Sequence, residues 1–308
     1  MEFIPPNELL LQKSDSLYEI RKIYDLHKPD RLKEALDIIE DWVKKQNHFL
    51  KKDFSREYYE RTLISCKGSV EKSKRTLDRL CTMRTLLPKF FSVTNIKTEV
   101  TEVLDMAGLY PMPKMTNDYQ RVILIKFAPE QFESYHFLQY YQFSLSLVEY
   151  LKRHDYANGF IVVEDFRRIN VMELLSKINL AELQQFMNLL EEGYGARIKA
   201  IYMLSESKAL ELLVNTVKRL VTEKVGKRLQ IVSCLEDLYK VVPLEFLPED
   251  YGGTERPTNK IIALSKEDHV EYLKMMQKAG TDETLRGAEK FNQDYMGMPG
   301  SFRSLTVD

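Results

Sequence analysis

Two patterns of apolar and polar positions divide this chain. Up to about residue 92, apolar side chains return at three- and four-residue steps, which places them on one face of a helix. Leu32, Leu36, Ile39 and Val43 do so within residues 30–47, and Leu77, Leu80 and Met83 within residues 70–87. Ser69 suits the N-cap of the second stretch and Pro88 its end. These stretches are expected to pack on one another as a helical bundle.

The pattern then changes. Short runs rich in Val, Ile and Phe occupy residues 122–127, 159–163, 198–204 and 229–232, separated by stretches of helical period at 129–153, 171–192 and 206–224. Such alternation predicts crossover units and a mainly parallel sheet. Nearly unbroken apolar runs predict strands buried on both faces. The expected fold is α/β: a helical domain over residues 1–92, a mixed, mainly parallel sheet with its helices over 93–256, and an extension over 257–308. That extension offers a strand-like run at 261–264, a helix at 266–278, and a tail rich in glycine and polar residues.

Composition narrows the function. The 308 residues are 44% hydrophobic and 30% charged, with a net charge of -1, which disfavours bulk binding of nucleic acid. Cys66, Cys81 and Cys234 are odd in number and show no Cys-x-x-Cys spacing, so a reducing compartment is expected. The first residues lack a basic segment leading into an apolar one, and no apolar run approaches the ~18 residues that span a bilayer. A cytoplasmic monomer is expected. No metal site or cofactor is anticipated, because the five histidines are scattered and no glycine-rich phosphate loop precedes a lysine. No Gly-x-Ser-x-Gly elbow is present either, so no catalytic residues are assigned and the chain is not expected to be an enzyme. Glu164 and Asp165, at the end of an apolar strand, sit where chemistry often does, but read more simply as a strand-end cap or salt bridge.

Residues 206–224 are the most informative helix. Leu210, Leu213, Val214, Val217 and Val221 form one apolar face, opposite Lys208, Glu211, Asn215, Lys218 and Thr222. Between Arg197 and Arg228 stand eight basic residues against three acidic ones, a local excess of five in a nearly neutral chain. Periodicity allows two readings: a helix that covers the sheet with a solvated basic side, or a lid over a cavity beside an anionic membrane surface.

Particular motifs carry a resemblance. Leu247-Pro248-Glu249-Asp250-Tyr251-Gly252-Gly253 joins a rigid proline start to a paired-glycine end. It resembles the closing signature of the CRAL-TRIO lipid-binding family. Residues 63–72 are similar to that family's amino-terminal helix-turn-helix, with Ile64 where an Arg is usual. Residues 158–165 and 194–201 resemble its central strands, with Glu164 in place of an aromatic. Residues 300–308 look like the tail of insect α-tocopherol-transfer-protein-like members, and retinaldehyde-binding members are also similar.

The resemblance implies a lipid pocket near Gln142, Ser146, Phe160, Leu189, Tyr194 and Ile198, gated by Leu210, Leu213, Val214 and Val217. It also implies a phosphoinositide cleft at Arg197, Lys199, Lys224 and Arg228, and Lys218 and Lys227 add to the basic surface. The expected function is a carrier of a small hydrophobic lipid (a retinoid, tocopherol or other isoprenoid), released at phosphoinositide-containing membranes with which the protein associates transiently. The alternative is a phosphoinositide- or phosphatidylinositol-binding signalling module without net transfer.

Overall fold

The computed structural model describes residue 7 and residues 9–128, 132–261 and 267–286. Four helices lead: α1 (Ser16–Ile23), α2 (Pro29–Lys45), α3 (Arg56–Ser65) and α4 (Val70–Leu86). The apolar stripes read from the sequence meet in one core built around Ile20, Leu36, Ile39, Val43, Tyr59 and Leu63. Ser55 and Ser69 cap α3 and α4, their hydroxyls accepting from the backbone N–H of Tyr58 and Lys72. The tight α3–α4 connection holds Lys67 at φ +60° and Gly68 at φ +75°. α4 serves two cores, giving Leu77 and Cys81 to the helical one and Leu80 and Met83 to that of the sheet. Pro88 opens a 3₁₀ turn, and the helical stretch runs beyond residue 92 through α5 (Ile96–Glu99) and α6 (Thr101–Met106).

The sheet contains β1 (Ala107–Met115), β2 (Arg121–Phe127), β3 (Phe160–Asp165), β4 (Ile198–Leu204) and β5 (Leu229–Val232), side by side in that order. β1 runs antiparallel to β2, and the other neighbours are parallel. Gly108, Pro111 and Pro113 hid β1 from pattern reading. An edge strand tolerates prolines because one side of it has no ladder to feed, and the register shifts between Pro111 and Met115. α7 (Ser134–His154) connects β2 to β3, α8 (Val171–Lys177) and α9 (Leu180–Asn188) connect β3 to β4, and α10 (Ala209–Leu220) with α11 (Glu223–Gly226) connects β4 to β5. Right-handed crossovers between strands in sequential order bring their helices to one face of the sheet.

Two expected helices are broken. Asn170 and Asn179 each cap a new start, so residues 171–192 divide into α8, α9 and the π turn Leu189–Gly193. Residues 206–224 divide because Val221 (ψ 164°) and Thr222 (ψ 150°) leave the helical region.

After α12 (Leu235–Val241) comes the closing motif, where a 3₁₀ turn spans Glu249–Tyr251 and Gly252 takes φ +75°. A Cβ on Gly253 would collide with the Leu247 carbonyl. The Tyr251 hydroxyl donates to Asp165 Oδ2, and Arg167 binds both oxygens of that carboxylate. Asp165 is thus the strand-end anchor expected of it. The chain then turns back through α13 (Glu267–Gln277) onto the helical domain, where Arg286 grips Asp78 at 2.8 and 3.0 Å. Of the strand-like run at 261–264 only Ile261 is described, and the tail from residue 287 also lies outside the described residues.

Candidate functional site: an apolar chamber under the crossover helices

Alternate positions on the strands face the covering helices. Leu109, Ile123, Ile125, Phe160, Val162 and Glu164 come to one surface because side chains alternate along each strand. The register confirms this, pairing Ile123 with Val162 and Ile125 with Glu164. Opposite them α7 presents Tyr140, Ser144, Leu147, Val148 and Leu151, a stripe with helical spacing, and α9 with its π turn adds Phe186, Met187 and Leu190. Between the two surfaces lies a partly open cavity of about 200 Å³. A second space of about 110 Å³ continues from it toward α10 and shares Tyr140, Glu164, Phe186, Met187 and Ile201. Small-molecule pockets typically have volumes of about 300–1,000 Å³, and the two spaces together come to the low end of that range, room for one slender guest.

Of the expected pocket positions, Phe160, Tyr194 and Ile198 line the chamber, while Gln142, Ser146 and Leu189 do not. Gln142 and Ser146 each lie two residues beyond a lining position of α7, about 200° around the helix, and so face away. The Gln142 amide donates to the Lys89 carbonyl at 2.7 Å and to Ser92 Oγ at 3.0 Å, and Ser146 Oγ meets His269 Nε2 at 3.1 Å. Leu189 is turned by the π segment toward Gly193, which packs against Leu80 and Met83 of α4. The period through Tyr140, Ser144, Leu147 and Leu151 would have identified the right face.

Leu210, Leu213, Val214 and Val217 are buried, and Leu213 and Val217 roof the second space. Val221 falls just outside the helix and packs at the edge of the core.

Two polar features interrupt the apolar lining. The Glu164 side chain borders both spaces and has no hydrogen-bond or ion-pair partner among the described residues. Burial alone pushes its carboxyl up to about 7. It is not the strand-end salt bridge expected; only Asp165 fills that role. Behind the chamber, Arg84 and Glu149 form a buried ion pair, and the Tyr194 and Tyr272 hydroxyls also donate to Glu149.

The basic residues gather where β4 and β5 begin. Lys199 is driven below the ordinary lysine range by burial and by the charges of Arg197, Arg228 and Lys67. Lys224 is lowered chiefly by Lys67, then by burial, Arg228, Lys72 and Arg197. Lys67 and Lys72 come from the helical domain, and local composition around 197–228 gave no sign of them. The left-handed turn at Lys67 and Gly68 carries the first of them there. Lys227 instead pairs with Glu223, and Lys218 lies along Gly226.

The crossover helices of this α/β sheet thus leave an apolar chamber with a cationic surface beside it. The CRAL/TRIO domain model matches residues 105–253 and the Pinta-like, UBA domain model residues 28–101. The chain carries a CRAL/TRIO domain, of a family whose members are typically lipid-binding and transfer proteins. It is 27% identical over 120 residues to mouse (Mus musculus) "Alpha-tocopherol transfer protein-like", covering 37% of this chain and 35% of that protein. It is 26% identical over 101 residues to rat (Rattus norvegicus) Clavesin-1, covering 32% and 28%. The matches thus span about a third of those relatives' length. The crystal structure of Sfh5 superposes with a TM-score of 0.49 at 13% identity, over 87% of this chain and 99% of that one.

Proposed function

We propose that this chain is a carrier that encloses one small hydrophobic lipid, of the retinoid, tocopherol or isoprenoid kind, and releases it at phosphoinositide-bearing membranes when α10 swings aside. The chamber carries this reading, because close-packed interiors do not otherwise leave so much apolar wall without partner atoms. Burying about 400 Å² of guest surface at ~25 cal/mol/Å² gives about 10 kcal/mol gross, before association costs. The cationic surface supplies the membrane step at about 1 kcal/mol per basic residue. Among the described residues no helix is long and apolar enough to cross a membrane, which suits a peripheral, cytoplasmic and monomeric carrier without catalytic chemistry. We further propose the division into a helical domain, a lipid-binding domain and a C-terminal extension.

The mutual crowding of Lys199, Lys224 and their basic neighbours also favours a second reading, a phosphoinositide sensor that moves no cargo. Donor and acceptor vesicles decide between them. Net transfer of a labelled retinoid or tocopherol, faster when acceptors contain phosphoinositide, is expected of the carrier. Binding to such vesicles without transfer supports the sensor.

A further inference from the structure

The chamber is not apolar throughout, and its charged groups are segregated. At the end where β3 and β4 begin it is bordered by Arg61, Lys152 and Arg197, with Ser65 beside them. The Lys152 ammonium donates to Thr62 Oγ1 at 2.7 Å and lies 5.0 Å from the centre of the Tyr58 ring. Arg61 donates from Nε to the Lys152 carbonyl at 2.7 Å and covers the Tyr156 ring. Arg197 binds Asn158 Oδ1 at 2.8 Å and stacks on Tyr24. Every one of these partners is neutral. The carboxylate bordering this end, Asp155, is committed to Arg121 through two bonds of 2.9 Å. Among the described residues, three cations therefore border an apolar space with no carboxylate bound to them.

The three side chains are half-buried, and an anion that completes the arrangement stabilises it, since charge drawn from water gains most from an opposite partner. Burial has already drawn the Lys152 ammonium down to about 8. The remainder of the space fits an aliphatic tail. Phe160 accompanies Arg197 at this end, its N–H donating to the Arg197 carbonyl at 2.9 Å. Glu164 stands four residues along β3, about 13 Å away at the usual rise per residue, and the space beneath α10 continues from there.

Building on the carrier reading but replacing the isoprenoid guest named there, we infer that the guest is a single-chain amphiphile with an anionic carboxylate head, held at the Arg61–Lys152–Arg197 end while its tail runs past Val162 and Glu164 toward Leu213 and Val217. A long-chain fatty acid has this chemistry. The Lys152 ammonium donates to the head, and the arginines add charge and further donors.

Three probes of equal chain length test it: palmitate, hexadecan-1-ol and methyl palmitate, each competing with a fluorescent apolar dye on the delipidated full chain near neutral pH. Palmitate is expected to bind about tenfold tighter than the other two, the worth of one charge-assisted hydrogen bond. Lys152→Met should bring all three to within about twofold, and Lys152→Arg should restore part of the preference. The wild-type comparison stands even if a variant fails to fold. Equal binding of acid, alcohol and ester by the wild type overturns the headgroup assignment and leaves the carrier reading standing. A palmitate preference that survives in folded Lys152→Met also overturns it. Failure of all three probes, together with no lipid on the purified protein by native mass spectrometry, overturns both.

Discussion

Replacing Glu164 by Gln should stabilise this protein at alkaline pH and leave it unchanged in acid. The carboxyl borders an apolar chamber, accepts no hydrogen bond from the described residues, and is shifted by burial from 4.5 to about 7. Below pH 4.5 it is protonated in folded and unfolded chains alike, so it contributes nothing to the balance. Between 4.5 and 7 the unfolded chain ionises while the folded one keeps its proton, and stability falls as pH rises. Above 7 both forms are ionised and the full cost is present, about 3 kcal/mol for 2.5 pH units. Water in an unfilled chamber trims this to about 2 kcal/mol. Urea unfolding of the delipidated wild type and of Glu164→Gln at pH 5 and pH 8.5 reads the difference directly, because other titrating groups cancel between the two. Equal differences at both pH values, or a variant less stable at pH 8.5, would refute the reasoning.

The same argument extends to the guest. Filling the chamber expels water from around Glu164 and disfavours its charge further, so binding takes up a proton and weakens above pH 7. Tyr140 of α7 faces this carboxyl, and its phenol, pushed up by burial and then by Glu164, stays neutral throughout. Around them β2 offers Ile125, β4 Met203, α9 Phe186 and Met187, and α10 Leu213 and Val217. Calorimetry in buffers of different ionisation enthalpy should show proton uptake near pH 7 in the wild type and none through this group in Glu164→Gln.

Reversing Lys199 and Lys224 to Glu should slow release to anionic vesicles, by about 2 kcal/mol or more of lost surface attraction, while guest affinity stays within about twofold; equal loss of both, by dye competition and vesicle transfer, would assign these residues to the fold. Arg84→Met should cost about 3–5 kcal/mol in urea unfolding because it leaves Glu149 buried without its ion-pair partner, and adding Glu149→Gln should recover part of that. Gly159→Ala should lower stability by about 1–3 kcal/mol, since Gly159 sits at φ +139° with a new Cβ only 2.7 Å from the Arg197 carbonyl.

Strands β2 to β5 were legible because solid apolar runs need only composition and length to be recognised. The caps at Ser69 and the end before Pro88 were equally local signals. β1 was not legible: its prolines argue against a strand until an edge position is known. The break in residues 171–192 was signalled by Asn170 and Asn179, but asparagine within a helical period gives no warning of which side chain will turn back to cap. For the site, resemblance conveyed which elements wall the chamber, but a two-residue difference on α7 selects the opposite face. Glu164 shows the limit most clearly. Its neighbour Asp165 finds Arg167 and Tyr251, and nothing in the order Glu-Asp says which carboxylate turns inward. Strand alternation settles that, once Val162 is known to face the chamber.

Arg197 borders the chamber and also adds its charge to the surface around Lys199 and Lys224, so in the carrier reading the two functions meet in one side chain. Its bonds run to Tyr24 of the helical domain and to Asn158 just before β3. An anionic surface that draws the guanidinium outward competes with those bonds at the chamber's edge. It acts as well on Lys224, which lies in the four-residue α11 that joins α10 to β5. There Thr222 Oγ1 donates to Glu191 Oε2 at 2.6 Å, an exposed bond that water replaces at little cost. Val221 and Thr222, already outside helical angles, can absorb a rotation of α10 without breaking its ladder. In the carrier reading, docking would therefore pull on the entrance and on the pivot of the roof together. A carrier requires this coupling, because its chamber must stay closed in water and open only where Leu213 and Val217 can meet lipid instead.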